Sequence, residues 1–162
     1  MGMDVYSESG IVCEIDDVLP IFESFTETQV KNAVDRLTKK HDKNWPTNKD
    51  DLKNVSTNKE LYDWFVSGVV IDEESEEGFD CYHMGQIWDQ IMSATKSKLP
   101  PAQFNYWTSS RLSDYEVPIE TPCIVFHEHG LFVTKMSAKG KKLAAALGKE
   151  EITSSTWTAL SY

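Results

Sequence analysis

The sequence predicts an α+β fold, with about three main helices packed on a mostly antiparallel sheet in a single domain spanning 1–162. Three features point there. Two Thr-led capping boxes, Thr26-Glu27-Thr28-Gln29 and Thr57-Asn58-Lys59-Glu60, each open an amphipathic run. Met84, Ile87, Trp88, Ile91 and Met92 keep a 3.6-residue apolar period over two turns. Short apolar runs broken by turn residues, such as Cys123–Phe126 and Leu131–Val133, read as strands joined by hairpins. With 162 residues, 40% of them apolar, and five Trp, seven Phe and six Tyr, the chain can fill a core.

Taken in order, Val5-Tyr6 and Ile11-Val12-Cys13 flank Ser7-Glu8-Ser9-Gly10, which predicts a hairpin with Gly10 in the turn. Asp16 or Asp17 would then cap a short helical segment ending at Phe22 or Phe25, with Pro20 in its first turn. From Thr26 the apolar positions Val30, Ala33, Val34 and Leu37 share one helix face, and Lys39 and Lys40 suit its C-terminus. Residues 41–57 are a polar loop pinned by Trp45, with one helical turn near 50–55. Leu61, Trp64 and Phe65 form the face of the helix after Thr57, which Gly68 would end, and Val69-Val70-Ile71 would be a short buried strand. Asp80 caps the helix through Met92, and Pro100-Pro101 forbids its continuation. Residues 104–112 read as an aromatic strand, Ser137 as the cap of a helix that Gly148 ends, and 152–160 as a last strand. Units of hairpin followed by helix are expected at 5–25 and 121–148. The two Glu-x-Gly turns in them, at Glu8 and Glu128, read as independent choices of glycine rather than as a duplication.

Several constellations could bear chemistry. His127 and His129 alternate by two, and with His83 they form the donor set of a small metal-assisted hydrolase. Their spacing fits no standard zinc pattern, and a solvated turn is the plainer reading. Cys81 and His83 offer a nucleophile and a base, yet no nucleophile signature surrounds them. Neither Gly-x-Gly-x-x-Gly nor a Walker loop occurs, so no cofactor is expected. Cys13, Cys81 and Cys123 are odd in number and widely spaced, which predicts buried thiols in a reducing compartment.

The segment Leu131–Leu143, with Ser137-Ala138-Lys139-Gly140-Lys141 at its turn, resembles the strand, basic turn and helix start of some winged-helix and phage antirepressor-type domains. The likeness covers about a dozen residues and lacks the proline often found before Lys-Gly. It implies a DNA-associated regulator acting through the Lys135–Lys149 patch. A solvated helix face is the plainer reading of those lysines.

Charge segregation is the strongest functional clue. No Lys or Arg occurs in the first thirty residues, which hold seven carboxylates, and Asp72, Glu73, Glu74, Glu76, Glu77 and Asp80 form a second acidic run. Net charge is −10, with a sequence pI near 4.8. Such a field attracts basic partners and disfavours nucleic acid and anionic membranes. No apolar stretch is long enough to span a bilayer, and Met1-Gly2-Met3-Asp4 has no leader character. The expectation is a cytoplasmic, non-enzymatic interaction protein that binds and inhibits a basic protein, in the manner of immunity proteins or phage and mobile-element inhibitors. The residues expected to bind the partner are Glu8, Glu14, Asp16, Asp17, Asp72, Glu73, Glu74, Glu76 and Glu77. Tyr6, Tyr82, Trp45, Tyr106, Trp107, Tyr115 and Trp157 are the aromatic side chains available as anchors beside them.

Overall fold

The structure, a computed structural model, describes residues 4–69, 80–107, 121–127, 136–152 and 155–161. Among them are helices and antiparallel strands, an α+β composition: β1 (Asp4–Glu14), α1 (Leu19–Glu23), α2 (Glu27–Lys40), α3 (Asn58–Val66), α4 (Cys81–Ala94), β2 (Ala102–Trp107), β3 (Thr121–Phe126), α5 (Ala138–Ala146) and β4 (Ser155–Ser161). Two 3-10 turns, Ile15–Val18 and Asp50–Asn54, complete the described elements. Backbone contacts gather into two compact units, Asp16–Leu99 and Met1–Ile15 with Pro100–Tyr162.

The first unit is helical. Both Thr capping boxes form as their spacing predicts. At the first, Gln29 Oε1 accepts the Thr26 N–H at 2.9 Å while its Nε2 donates to the Thr95 carbonyl at 3.1 Å. A glutamate could close the box but could not make the second bond, so the amide ties the start of α2 to the end of α4. On the same pair of helices, Arg36 donates to Gln90 Oε1 at 2.9 Å and to Ser93 Oγ at 3.2 Å. Asp80 caps α4 through the His83 N–H, 3.0 Å away. Met84, Ile87, Trp88 and Ile91 are buried as the period requires, and Met92 is half-buried.

The loop between α2 and α3 is packed. Trp45 is buried and donates from Nε1 to Gln86 Oε1 at 3.1 Å. His41 lies edge-on to it, with ring centres 5.0 Å apart, and its Nε2 donates to the Thr47 carbonyl at 3.0 Å. Trp64 Nε1 donates to the Asn48 carbonyl at 2.8 Å. Each indole thus satisfies its one donor while burying its ring.

The C-terminus of α4 shows a backbone cost. Lys96 has φ 55°, and Lys96 and Ser97 donate to the Ser93 and Met92 carbonyls, a Schellman closure with a lysine where glycine is usual. Gly148 holds the matching place after α5, at φ 68°. Lys96→Gly is therefore expected to raise stability by about 0.5–1 kcal/mol, read as a higher urea midpoint at unchanged slope. A lower midpoint would show that the lysine stem contributes more than the strain costs.

The second unit is a sheet of order β2-β3-β1-β4, antiparallel throughout. Here the expected first hairpin is corrected. Residues 4–14 run as one strand, and Gly10 is not at positive φ. Residues 4–10 pair with 161–155, Glu8 facing Trp157, and residues 11–14 pair with 126–123. A hairpin at 7–10 would have left only short arms on either side. Pairing with distant strands satisfies the backbone along the whole of β1. Ile11, Cys13, Ile124, Phe126 and Phe104 share one face of the sheet and are buried. Cys123 and Val125 are buried on the other, with Val12 half-buried beside them.

Other boundaries shift locally. Asp16 and Asp17 lie inside a 3-10 turn, and Val18 takes the N-cap position of α1 without a side-chain cap, while Pro20 does sit in the first turn. Ser67, not Gly68, is the C-cap residue of α3. Val69 lies outside any strand, and residues 70 and 71 lie outside the described residues. β2 ends at Trp107, with residues 108–112 outside that set, as are 128–135, where the second hairpin was expected. Ser137 caps α5 through the Gly140 N–H at 3.2 Å.

Candidate functional site

The acidic residues singled out from sequence are distributed as follows. Glu8 lies mid-strand in β1, and Glu14 is exposed at its end, in register with Cys123. Asp16 is exposed and Asp17 half-buried in the following 3-10 turn. Asp72, Glu73, Glu74, Glu76 and Glu77 lie outside the described residues.

Within the helical unit, the fold gathers carboxylates that are far apart in the chain. α1 packs on α3, and this sets Asp16 within electrostatic reach of the Tyr62 phenol, beside Asp63, and Glu23 within reach of the Lys59 ammonium. All three carboxylates are exposed. Lys59 is the cation among them. It bridges to Asp63 at 2.9 Å and lies 5.1 Å from the centre of the Tyr62 ring. Burial pushes the Tyr62 phenol above its ordinary range, and the charge of Asp16 pushes it the same way. The hydrogen bond to Asp63 holds the Lys59 ammonium above its usual value against a smaller desolvation. Glu60, one residue on, is committed elsewhere. Thr57 and Ser56 donate to its carboxylate and hold it below the usual range.

Asp16, Glu23 and Asp63 thus act electrostatically on Lys59 and on the buried Tyr62, whose ring packs edge-on to Phe22 at 5.4 Å. Chain position alone could not pick out Asp63, because it enters only through the α1–α3 packing. Its local signal was the i,i+4 pair with Lys59.

The start of α4 brings Asp80, Cys81, Tyr82 and His83 together. One Asp80 oxygen takes the His83 backbone N–H and the other takes the imidazole Nδ1. Cys81 is half-buried, and burial, followed by the charge of Asp80, pushes its thiol up to about 11. Proximity to a helix N-terminus lowers a thiol pKa, but burial wins here, so at neutral pH Cys81 is a thiol and a poor nucleophile. Cys13 and Cys123 are buried and lie outside any disulfide.

Of the histidines considered as metal ligands, His83 sits in the first turn of α4. His127 is exposed just past β3, its N–H donating to the Pro101 carbonyl at 3.0 Å, and His129 lies outside the described residues. Among the described residues no three His, Cys, Asp or Glu side chains are grouped closely enough to hold a metal ion. Lys139, Lys141 and Lys142 are exposed on α5, near the N-terminal half of a helix whose dipole they oppose. No helix among the described residues is long and apolar enough to cross a membrane.

Comparison with protein-family profiles, with curated proteins and with solved structures finds no match to this chain.

Proposed function

We propose that the protein is a non-enzymatic acidic interaction protein. It would bind, and by covering its surface inhibit, a protein partner with a basic surface. The observation that carries this reading is that Asp16, Glu23 and Asp63, all exposed, lie within electrostatic reach of the neighbouring Tyr62 and Lys59 on α3. Two of them come from the lysine-free N-terminal stretch and one from α3. Carboxylates set this way lend little to stability, since exposed charges in water interact by about 1 kcal/mol or less. What they do supply is field: an acidic face raises the encounter rate with a basic partner and rejects like-charged ones. Asp17, in the same 3-10 turn as Asp16, would extend that field.

The test uses the basic protein that the wild type retains from an extract of its source cell at low salt. The triple variant Asp16→Lys, Glu23→Lys, Asp63→Lys should slow association with it by about tenfold or more and flatten its salt dependence. A control triple, Asp35→Lys, Asp50→Lys, Asp51→Lys, makes the same change in net charge at other exposed acids. It should shift the rate by less than about threefold. Equal slowing by both triples, or no slowing by either, overturns the reading.

A further inference from the structure

We infer that Lys59 guards the acidic surface, holding the place that a lysine of the basic partner takes on binding, an assignment that rests on the acidic-interaction reading above. The structure shows which chemistry fits that place, because Lys59 already fills it. Its ammonium bridges to Asp63 Oδ1 at 2.9 Å and lies 5.1 Å from the centre of the Tyr62 ring. A carboxylate beside an aromatic ring attracts a cation through two separate contacts. Glu23, the last residue of α1, acts on the same ammonium.

The hold is weak, and that sets its role. The two side chains of the bridge are 61% and 59% exposed. An i,i+4 pair so open to water shifts an equilibrium by only about twofold. Lys59 can also leave without disturbing α3, whose start is fixed separately by the capping box of Thr57 and Glu60. Tyr62 stays where it is, because its ring is buried and packs edge-on to Phe22 at 5.4 Å. The guard moves and the site remains.

In place, Lys59 weakens the acidic surface twice. It occupies one oxygen of Asp63, and its charge offsets one of the three carboxylates Asp16, Glu23 and Asp63. A single passing cation that displaces it exchanges one ammonium for another and gains little. A partner that brings several cations at once gains the remaining carboxylates as well, so the guard favours an extended basic surface over isolated charges.

The experiment follows a fluorescently labelled nona-lysine peptide on the full chain by anisotropy at about 50 mM salt, where charges more than about 14 Å apart are largely screened. Lys59→Gln should tighten binding by about three- to tenfold, since it frees Asp63 and removes a positive charge at contact distance. Lys43→Gln makes the same change in net charge at an exposed lysine in the loop after α2, and should tighten binding by less than about twofold. In the Asp63→Asn background, Lys59→Gln should gain no more than Lys43→Gln does, because the guarded carboxylate is gone. All three residues are exposed, so the variants should keep the wild-type far-UV circular dichroism spectrum. If Lys59→Gln and Lys43→Gln tighten binding equally, or the gain from Lys59→Gln persists undiminished beside Asp63→Asn, Lys59 is no guard and the acidic surface stands. Should neither the wild type nor Lys59→Gln bind the peptide even at lower salt, the acidic-surface reading fails and the guard with it.

Discussion

Phe22→Ala is expected to cost about 3–5 kcal/mol, the largest single loss available in the helical unit. Phe22 is fully buried, and its ring meets Phe25 at 5.5 Å, Tyr62 at 5.4 Å, Phe65 at 5.3 Å and Trp88 at 6.2 Å between centres. It therefore links α1 to α3 and α4 at once. Truncation removes the transfer free energy of a phenyl group and leaves a void lined by four rigid rings, which cannot collapse to fill it. Aromatic pairs add about 0.5–1.5 kcal/mol each, but they share one ring, so the sum overstates the loss. Against a typical total of about 5–15 kcal/mol, this change should shift the urea midpoint strongly, monitored by far-UV circular dichroism. Phe22→Leu should fall between Phe22→Ala and wild type. A loss below about 1 kcal/mol for Phe22→Ala would mean that the aromatic cluster is not the centre of that unit.

The same substitution at two glycines should have opposite signs. A Cβ on Gly68 would stand 2.7 Å from Met84 Sδ, 2.9 Å from Thr47 Cγ2 and 3.2 Å from Pro46 Cγ. Met84 is fully buried, Thr47 is buried beside His41, and Pro46 is a ring. None of the three can move aside without disturbing the loop that Trp45 pins. Gly68→Ala should therefore destabilise by about 1–3 kcal/mol. Gly85 lies inside α4, and a Cβ there meets nothing within 4 Å. Gly85→Ala should stabilise by about 0.5–1 kcal/mol, because alanine loses less backbone freedom on entering the helix. Two thermal or urea titrations decide the pair. A stabilising Gly68→Ala would show that the loop yields, and a destabilising Gly85→Ala would point to contacts that the helix alone does not explain.

These residues mark where sequence reading succeeds. The capping boxes at Thr26 and Thr57, the Asp80 and Ser137 caps, the period through Ile91 and the glycine after α5 were all legible. Phe22 was not legible as a centre, because α1 has five residues and is too short to display a period. Gly68 was legible as a break but not for its reason. Glycine after a helix suggests a left-handed turn, whereas its need is room beside Met84 and Thr47. Of the candidate surface, the abundance of acid was evident. The meeting of Asp16 and Glu23 with Asp63 was not, since it depends on how α1 packs on α3.

By itself, the sequence determined where four of the helices begin, what stops α5, and that acid and base are segregated along the chain. Each of these rests on groups within about four residues, where backbone donors and acceptors find partners whatever the rest of the chain does. Only the tertiary structure decided that Ser7–Gly10 is strand rather than turn, because its partner is β4, at the far end of the chain. Strand pairing has no local signature when a distant ladder satisfies more backbone than a nearby hairpin would. The same non-local packing brings Asp16 within electrostatic reach of Tyr62, and Glu23 within reach of Lys59, on α3.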